Sequence, residues 1–149
     1  PWWTKPLKKV LKPIAVKIGG KIGQKIGQRA GKKSAQRIAE NQRKRIARKI
    51  AECDAIHKAY DALDCRSCKN VTDCAEAIKR AACFAAEIAG RQRYLQKRCD
   101  YYLPGSIGRP GGSAAAERGH RIQVADKIKA EAICAAKVAE LCGDCDPPK

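Results

Sequence analysis

The chain has 149 residues, with 32 Lys and Arg against 15 Asp and Glu and a formal net charge of +17. One Phe, no Met and an apolar complement rich in Ala leave little side-chain area to bury, which excludes a large hydrophobic core. No uncharged apolar run approaches the roughly 18 residues that mark a spanning helix, and the start lacks the apolar segment and cleavage site of a signal peptide.

Charge divides the chain in two. Residues 1–50 hold sixteen basic residues and a single acid, Glu40, while the remainder holds sixteen basic and fourteen acidic residues. The expected organisation is a basic amphipathic arm over 1–50 and a nearly neutral Cys-rich helical body over 51–149. A block of like charge repels itself until an anionic surface neutralises it, so the natural partners of the arm are phospholipid headgroups or nucleic acid. A solvated tail that serves solubility alone is the plainer alternative.

The arm opens on Pro1, Trp2 and Trp3, followed by Pro6 and Pro13. The Pro-first, Met-free chain is expected to be a fragment released by cleavage before Pro1. After Ile14 a tetrad repeats four times: Lys17-Ile18-Gly19-Gly20, Lys21-Ile22-Gly23-Gln24, Lys25-Ile26-Gly27-Gln28 and Arg29-Ala30-Gly31-Lys32. On a helix of about 3.6 residues per turn, Ile18, Ile22 and Ile26 form a slowly spiralling stripe beside Gly19, Gly23, Gly27 and Gly31.

Each such glycine costs a helix about 1 kcal/mol relative to Ala, so the pattern needs a compensating surface. Small residues at every fourth position let helices approach closely in lipid. Lys17, Lys21, Lys25 and Arg29 suit an anionic headgroup layer, and Trp2 and Trp3 suit the depth of that interface. Basic Gly-rich tails also bind nucleic acid without sequence preference or act as flexible linkers. Phosphate neutralisation alone does not require the regular Ile and Gly spacing, which favours the membrane.

From Ala35 the pattern becomes conventionally helical, with Ile38, Ile46 and Ile50 on one face, and predicts a helix over about 33–64. Thr72 and Asp73 open a second helix to about residue 100, and a third runs over about 113–141. The Pro- and Gly-rich segment from Leu103 to Gly112 turns the chain between them. The expected fold is all-α, a helical arm plus a Cys-rich helical hairpin, with a partly extended state before membrane contact as an alternative.

All nine cysteines fall between Cys53 and Cys145. Cys65, Cys68, Cys142 and Cys145 form two Cys-x-x-Cys pairs that could hold zinc. An antiparallel hairpin instead brings Cys74 to Cys142 and Cys83 to Cys134 in one register, so these two disulfides are preferred and no metal or other cofactor is expected. Disulfides imply an oxidising compartment such as the bacterial periplasm. Catalysis, if present, centres on His120 with Arg118 and Arg121 beside it and Asp100 across the hairpin. A histidine among arginines could act as general base on a phosphodiester, giving a metal-independent nuclease. Gln123 lies beside this group, and His57 reads as structural.

The Lys-Ile-Gly arm, the segment Arg98-Cys99-Asp100-Tyr101-Tyr102-Leu103-Pro104-Gly105-Ser106-Ile107, and the following Gly119-His120 together resemble the C-terminal toxin fragments of Rhs-repeat effectors of the type VI secretion system, closest to the pore-forming type. The resemblance implies a self-cleaved fragment held within the Rhs shell of its precursor, loaded with a chaperone, delivered on a spike protein, and neutralised in the producer by a cognate immunity protein. It also implies action at the recipient's inner membrane through ion-conducting pores that collapse the potential. Because sixteen cations cannot sit in hydrocarbon, several copies of the arm from Ile14 to Ile50 and of the hairpin are expected to associate around a wet channel. The nuclease at His120 is the alternative, and a DNA-compacting protein is third.

Overall fold

A computed structural model describes the backbone of residues 25–143 and the side chains of residues 30–143. Every regular element among the described residues is helical: α1 (Lys25–Asp61), α2 (Cys74–Gln96), a 3-10 turn (Cys99–Tyr101), α3 (Pro104–Ile107) and α4 (Gly112–Leu141). The all-α expectation holds. The calculated stripes of the arm fall mostly elsewhere: Pro1, Trp2, Trp3, Ile14, Lys17, Ile18, Gly19, Lys21, Ile22 and Gly23 lie outside the described residues. Gly27 and Gly31 lie within α1, which over the described residues already runs from Lys25, ahead of the expected start near residue 33.

α1 is 37 residues long, and its two halves have different surroundings. From Ile50 onward it packs on the body, placing Cys53, Ile56 and Tyr60 in a cluster with Tyr94, Cys99 and Leu103. Between Gln36 and Arg48 every residue is exposed or half-buried, and the polar faces are dominated by Lys and Arg.

Where α1 and α2 meet, the backbones approach closely. A Cβ on Gly90 would lie 2.8 Å from the Tyr60 Cβ, so only glycine fits this crossing. Arg91 then stacks over the Tyr60 ring at 4.7 Å, and burial pushes the Tyr60 phenol up to about 12.

α2 starts where Asp73 can cap it. The Asp73 backbone is extended and its carboxylate accepts from the Glu76 backbone N–H at 2.9 Å, satisfying one of the orphan donors of the first turn. Its far end stops at Lys97, after which Arg98 adopts a left-handed φ of 55°. That reversal starts the turn-rich segment. Gly111 and Gly112, at φ 85° and 73°, redirect the chain into α4, a conformation that L side chains adopt only with strain.

α2 and α4 form the expected hairpin, and a second cluster of Cys68, Val71, Ala77, Phe84 and Cys134 lies along it. Both clusters are small and each contains cysteines, in keeping with an Ala-rich chain that lacks bulky side chains.

Among the described residues four disulfides hold these parts together: Cys53–Cys99, Cys65–Cys83, Cys68–Cys134 and Cys74–Cys142. The Cys74–Cys142 expectation is met, with Cα atoms 5.0 Å apart. The Cys83–Cys134 expectation is corrected, because Cys83 bonds Cys65 and Cys134 bonds Cys68. Axial register was the basis of that pairing, and azimuth defeats it. Nine residues separate Cys74 from Cys83, an advance of about 900°, or two and a half turns, which puts the two on opposite sides of α2.

The loop over residues 62–73 takes the places left open. Its Cys65 reaches the outer side of α2 and its Cys68, fully buried, enters the hairpin interior. Cys65, Cys68 and Cys142 are thus disulfide-bonded and are not free thiolates for the zinc alternative. Cys145 lies outside the described residues.

Candidate functional site: a histidine-lined cavity at the hairpin turn

The turn between α2 and α4 is built around one carboxylate. Asp100 is 1% exposed, and burial of a charge this deep requires compensating donors. Three side chains supply them. Ser106 donates to Oδ1 at 2.5 Å and Tyr94 donates to the same oxygen at 3.2 Å, while His120 Nδ1 lies 2.9 Å from Oδ2. Burial pushes the Asp100 carboxyl up, but the bonds from His120, Ser106 and Tyr94 and the His120 charge outweigh it and hold the group below its ordinary value. Burial also drives the Tyr94 phenol upward, out of reach of ordinary titration.

Each partner arrives from a different element, which explains why the turn needs its composition. Tyr94 ends α2, Asp100 sits in the 3-10 turn, Ser106 is on α3 and His120 is in α4. Pro104 opens α3 at a position where its missing N–H is not needed, and this short helix brings Ser106 beneath Asp100.

With Nδ1 held by an ionised carboxylate, the His120 ring has Nε2 left over, an acceptor in the neutral ring and a donor in the charged one. The ring forms one wall of a cavity of about 310 Å³. Asp54 and His57 of α1, Tyr94, Leu103, Pro104, Ser106, Arg109 and Ala116 also line it. Both histidines therefore border one cavity, and each packs against the Tyr94 ring, with centroids 6.0 Å away for His57 and 5.1 Å for His120.

The pairing of His120 with Asp100 across the hairpin is as expected from the sequence. Its arginine partners are not. Arg121 pairs with Glu117 at 2.8 Å and is well exposed, Arg118 is exposed, and neither lines the cavity. Successive helical residues diverge by about 100°, so residues immediately beside His120 cannot share its face. Ala116, four positions earlier, does share it. Gln123 instead accepts from Arg91 at 2.7 Å.

The cation at the cavity is Arg109, supplied by the turn, and it forms no ion pair or side-chain hydrogen bond among the described residues. Its guanidinium passes over Gly119, where a Cβ would come within 3.2 Å of Nη1. Tyr94, Ser106 and Arg109 are not among the site residues expected from the sequence, and His57 is expected there to be structural. A signal existed for His57, which sits three residues before buried Tyr60 on the face that packs on the body.

Of the membrane-facing candidates, Lys25, Ile26, Gly27 and Arg29 are in the first turns of α1, and their side chains lie outside the described residues. No helix among the described residues is long and apolar enough to cross a membrane. The chain matches no known family model, no curated protein and no solved structure.

Proposed function

We propose that this chain is a secreted antibacterial toxin that attaches its cationic arm to the inner membrane of a recipient cell and permeabilises it to ions. One observation carries the reading: α1 continues well beyond the disulfide-clamped body as a helix whose side chains are mostly solvent-exposed and overwhelmingly basic. Residues 25–50 contain ten Lys and Arg against Glu40 alone. Along the same helix Ile38 and Ile46 leave an apolar line ahead of the part that packs on the body, with Ile38 38% exposed. Such a helix lies at an interface, its apolar line toward the acyl chains and its cations among the phosphates.

Because the described helices are too polar to cross alone, ion passage in this reading comes from several copies surrounding a wet path, with the cations facing headgroups or water. The body, bolted by four disulfides, remains folded beside them. The resemblance to Rhs toxin fragments supports the same role, and with it an immunity protein in the producer and delivery from an Rhs shell.

The test is permeabilisation. The oxidised chain should release a trapped small dye from vesicles rich in phosphatidylglycerol and depolarise bacteria when exported to their periplasm. Changing Arg43, Arg45 and Arg48 together to Gln should suppress both. Intact vesicles and an undisturbed potential at concentrations that coat the membrane would overturn the proposal.

A second reading, a metal-independent nuclease, is favoured by the His120–Asp100 pair at the cavity. His120→Ala would then abolish toxicity, with nucleic acid degraded before the potential falls, whereas the membrane reading expects that variant to permeabilise normally.

A further inference from the structure

We infer that the cavity bounded by His57, His120 and Arg109 binds a phosphodiester monoanion, the group carried by anionic lipid headgroups. The lipid as its source rests on the membrane reading above, but the anion site itself stands on separate residues.

Charge comes first. Arg109 reaches the cavity without an ion pair among the described residues, and glycine at position 119 leaves the space its guanidinium occupies. Asp54, the acid on the α1 wall, is held by Lys58 at 2.8 Å. Asp100, the acid behind the α4 wall, is 1% exposed and occupied by His120, Ser106 and Tyr94. The cavity thus presents a free guanidinium and two imidazoles, while both nearby carboxylates are already engaged. A guanidinium fork matches two phosphate oxygens, and a protonated His120 would remain balanced by Asp100 while donating from Nε2.

Size and lining come next. At about 310 Å³ the space lies at the small end of the roughly 300–1,000 Å³ typical of ligand sites, enough for a headgroup phosphate with a short polar substituent. Leu103, Pro104 and Ala116 give it an apolar side. Single-stranded nucleic acid would need broad exposed aromatic faces for its bases, and beside the two imidazoles the cavity has only the Tyr94 ring, which is 2% exposed. Lipid is therefore favoured over RNA. The cavity also borders α1 at Asp54 and His57, continuous with the cationic helix that would reach the membrane.

Only two histidines occur in the chain, so their ring resonances report on this site alone. Titrating the oxidised chain with glycerophosphoglycerol should move both sets saturably. Arg109→Gln, a change at an exposed side chain, should weaken the effect by about tenfold or more, the loss expected for a charge-assisted bond. Static rings at millimolar concentrations, or unchanged affinity in Arg109→Gln, would overturn the site. Tighter binding of inorganic phosphate than of the diester would overturn the lipid assignment, as would RNA cleavage that His120→Ala abolishes. Failure of the membrane reading is separable, since vesicles would then stay intact while the rings still respond.

Discussion

Three donors converge on Asp100, and they do not contribute equally. Tyr94→Phe removes one hydroxyl and leaves the carboxylate with Ser106 and His120, so the expected cost is about 1 kcal/mol. Asp100→Ala instead removes the shared acceptor of two buried hydroxyls and of the half-buried His120 ring, leaving Tyr94 and Ser106 only each other at 3.3 Å, with an expected loss of about 2–4 kcal/mol. Urea denaturation of the two variants measures the difference, and equal losses would show that the carboxylate is not the hub. The pH dependence follows from the direction of the shift. Asp100 is held below its ordinary value, so its contribution is fully present above the ordinary carboxylate pKa and is lost as pH falls through the depressed one. Stability of the wild type should therefore fall across the acid range in a way that Asp100→Ala does not.

At the scale of elements, Gly90 sets the distance between α1 and α2. In an unconstrained helix, Gly→Ala would gain about 1 kcal/mol. Here the new Cβ would lie 2.8 Å from the Tyr60 Cβ, backbone-near atoms that cannot rotate away, and overpacking of this kind costs about 1–3 kcal/mol. Gly90→Ala should lower the melting temperature, while the control Gly105→Ala, where a Cβ meets nothing within 4 Å, should not. The disulfides can be ranked by the loops they close. Losing Cys65–Cys83, 18 residues apart, should cost about 3 kcal/mol, and losing Cys74–Cys142, 68 apart, about 4.4 kcal/mol in the chain-entropy account. Paired Cys→Ser variants in thermal melts check the order.

Elements and site were legible to different degrees for physical reasons. Helix periodicity, the Asp73 cap and the Gly111-Gly112 turn are local signals, and they placed α2 and α4 within a few residues. Cys74–Cys142 was readable because it joins the two ends of a simple hairpin. Cys65 and Cys68 were not, since their partners depend on how the 62–73 loop folds back over α2, and nothing in the local sequence encodes that path. For the same reason His120 and Asp100 could be matched across the turn, whereas Arg109 and His57 come from elements whose angle to α4 is set by tertiary packing.

For the molecule as a whole, covalent ties and charge set opposite limits. Its two apolar clusters are small, and the four disulfides would each contribute about 3–4.4 kcal/mol by restricting the unfolded chain, together comparable to the whole stability of about 5–15 kcal/mol usual for a domain. Reduction should therefore abolish the cooperative melt, which circular dichroism in the presence of a thiol would reveal; a fold that melts unchanged would show the clusters sufficient. The arm works the other way, because its ten basic residues between 25 and 50 add no core and repel one another until an anionic surface gathers them. Each contributes about 1 kcal/mol near such a surface, through a field screened over about 10 Å at 0.1 M salt and about 3 Å at 1 M. Binding to phosphatidylglycerol vesicles should accordingly fall steeply as salt is raised, and phosphatidylcholine vesicles should bind little at any salt. Attachment that ignored both salt and headgroup charge would mean that apolar insertion, rather than the cations of α1, holds the chain at the membrane.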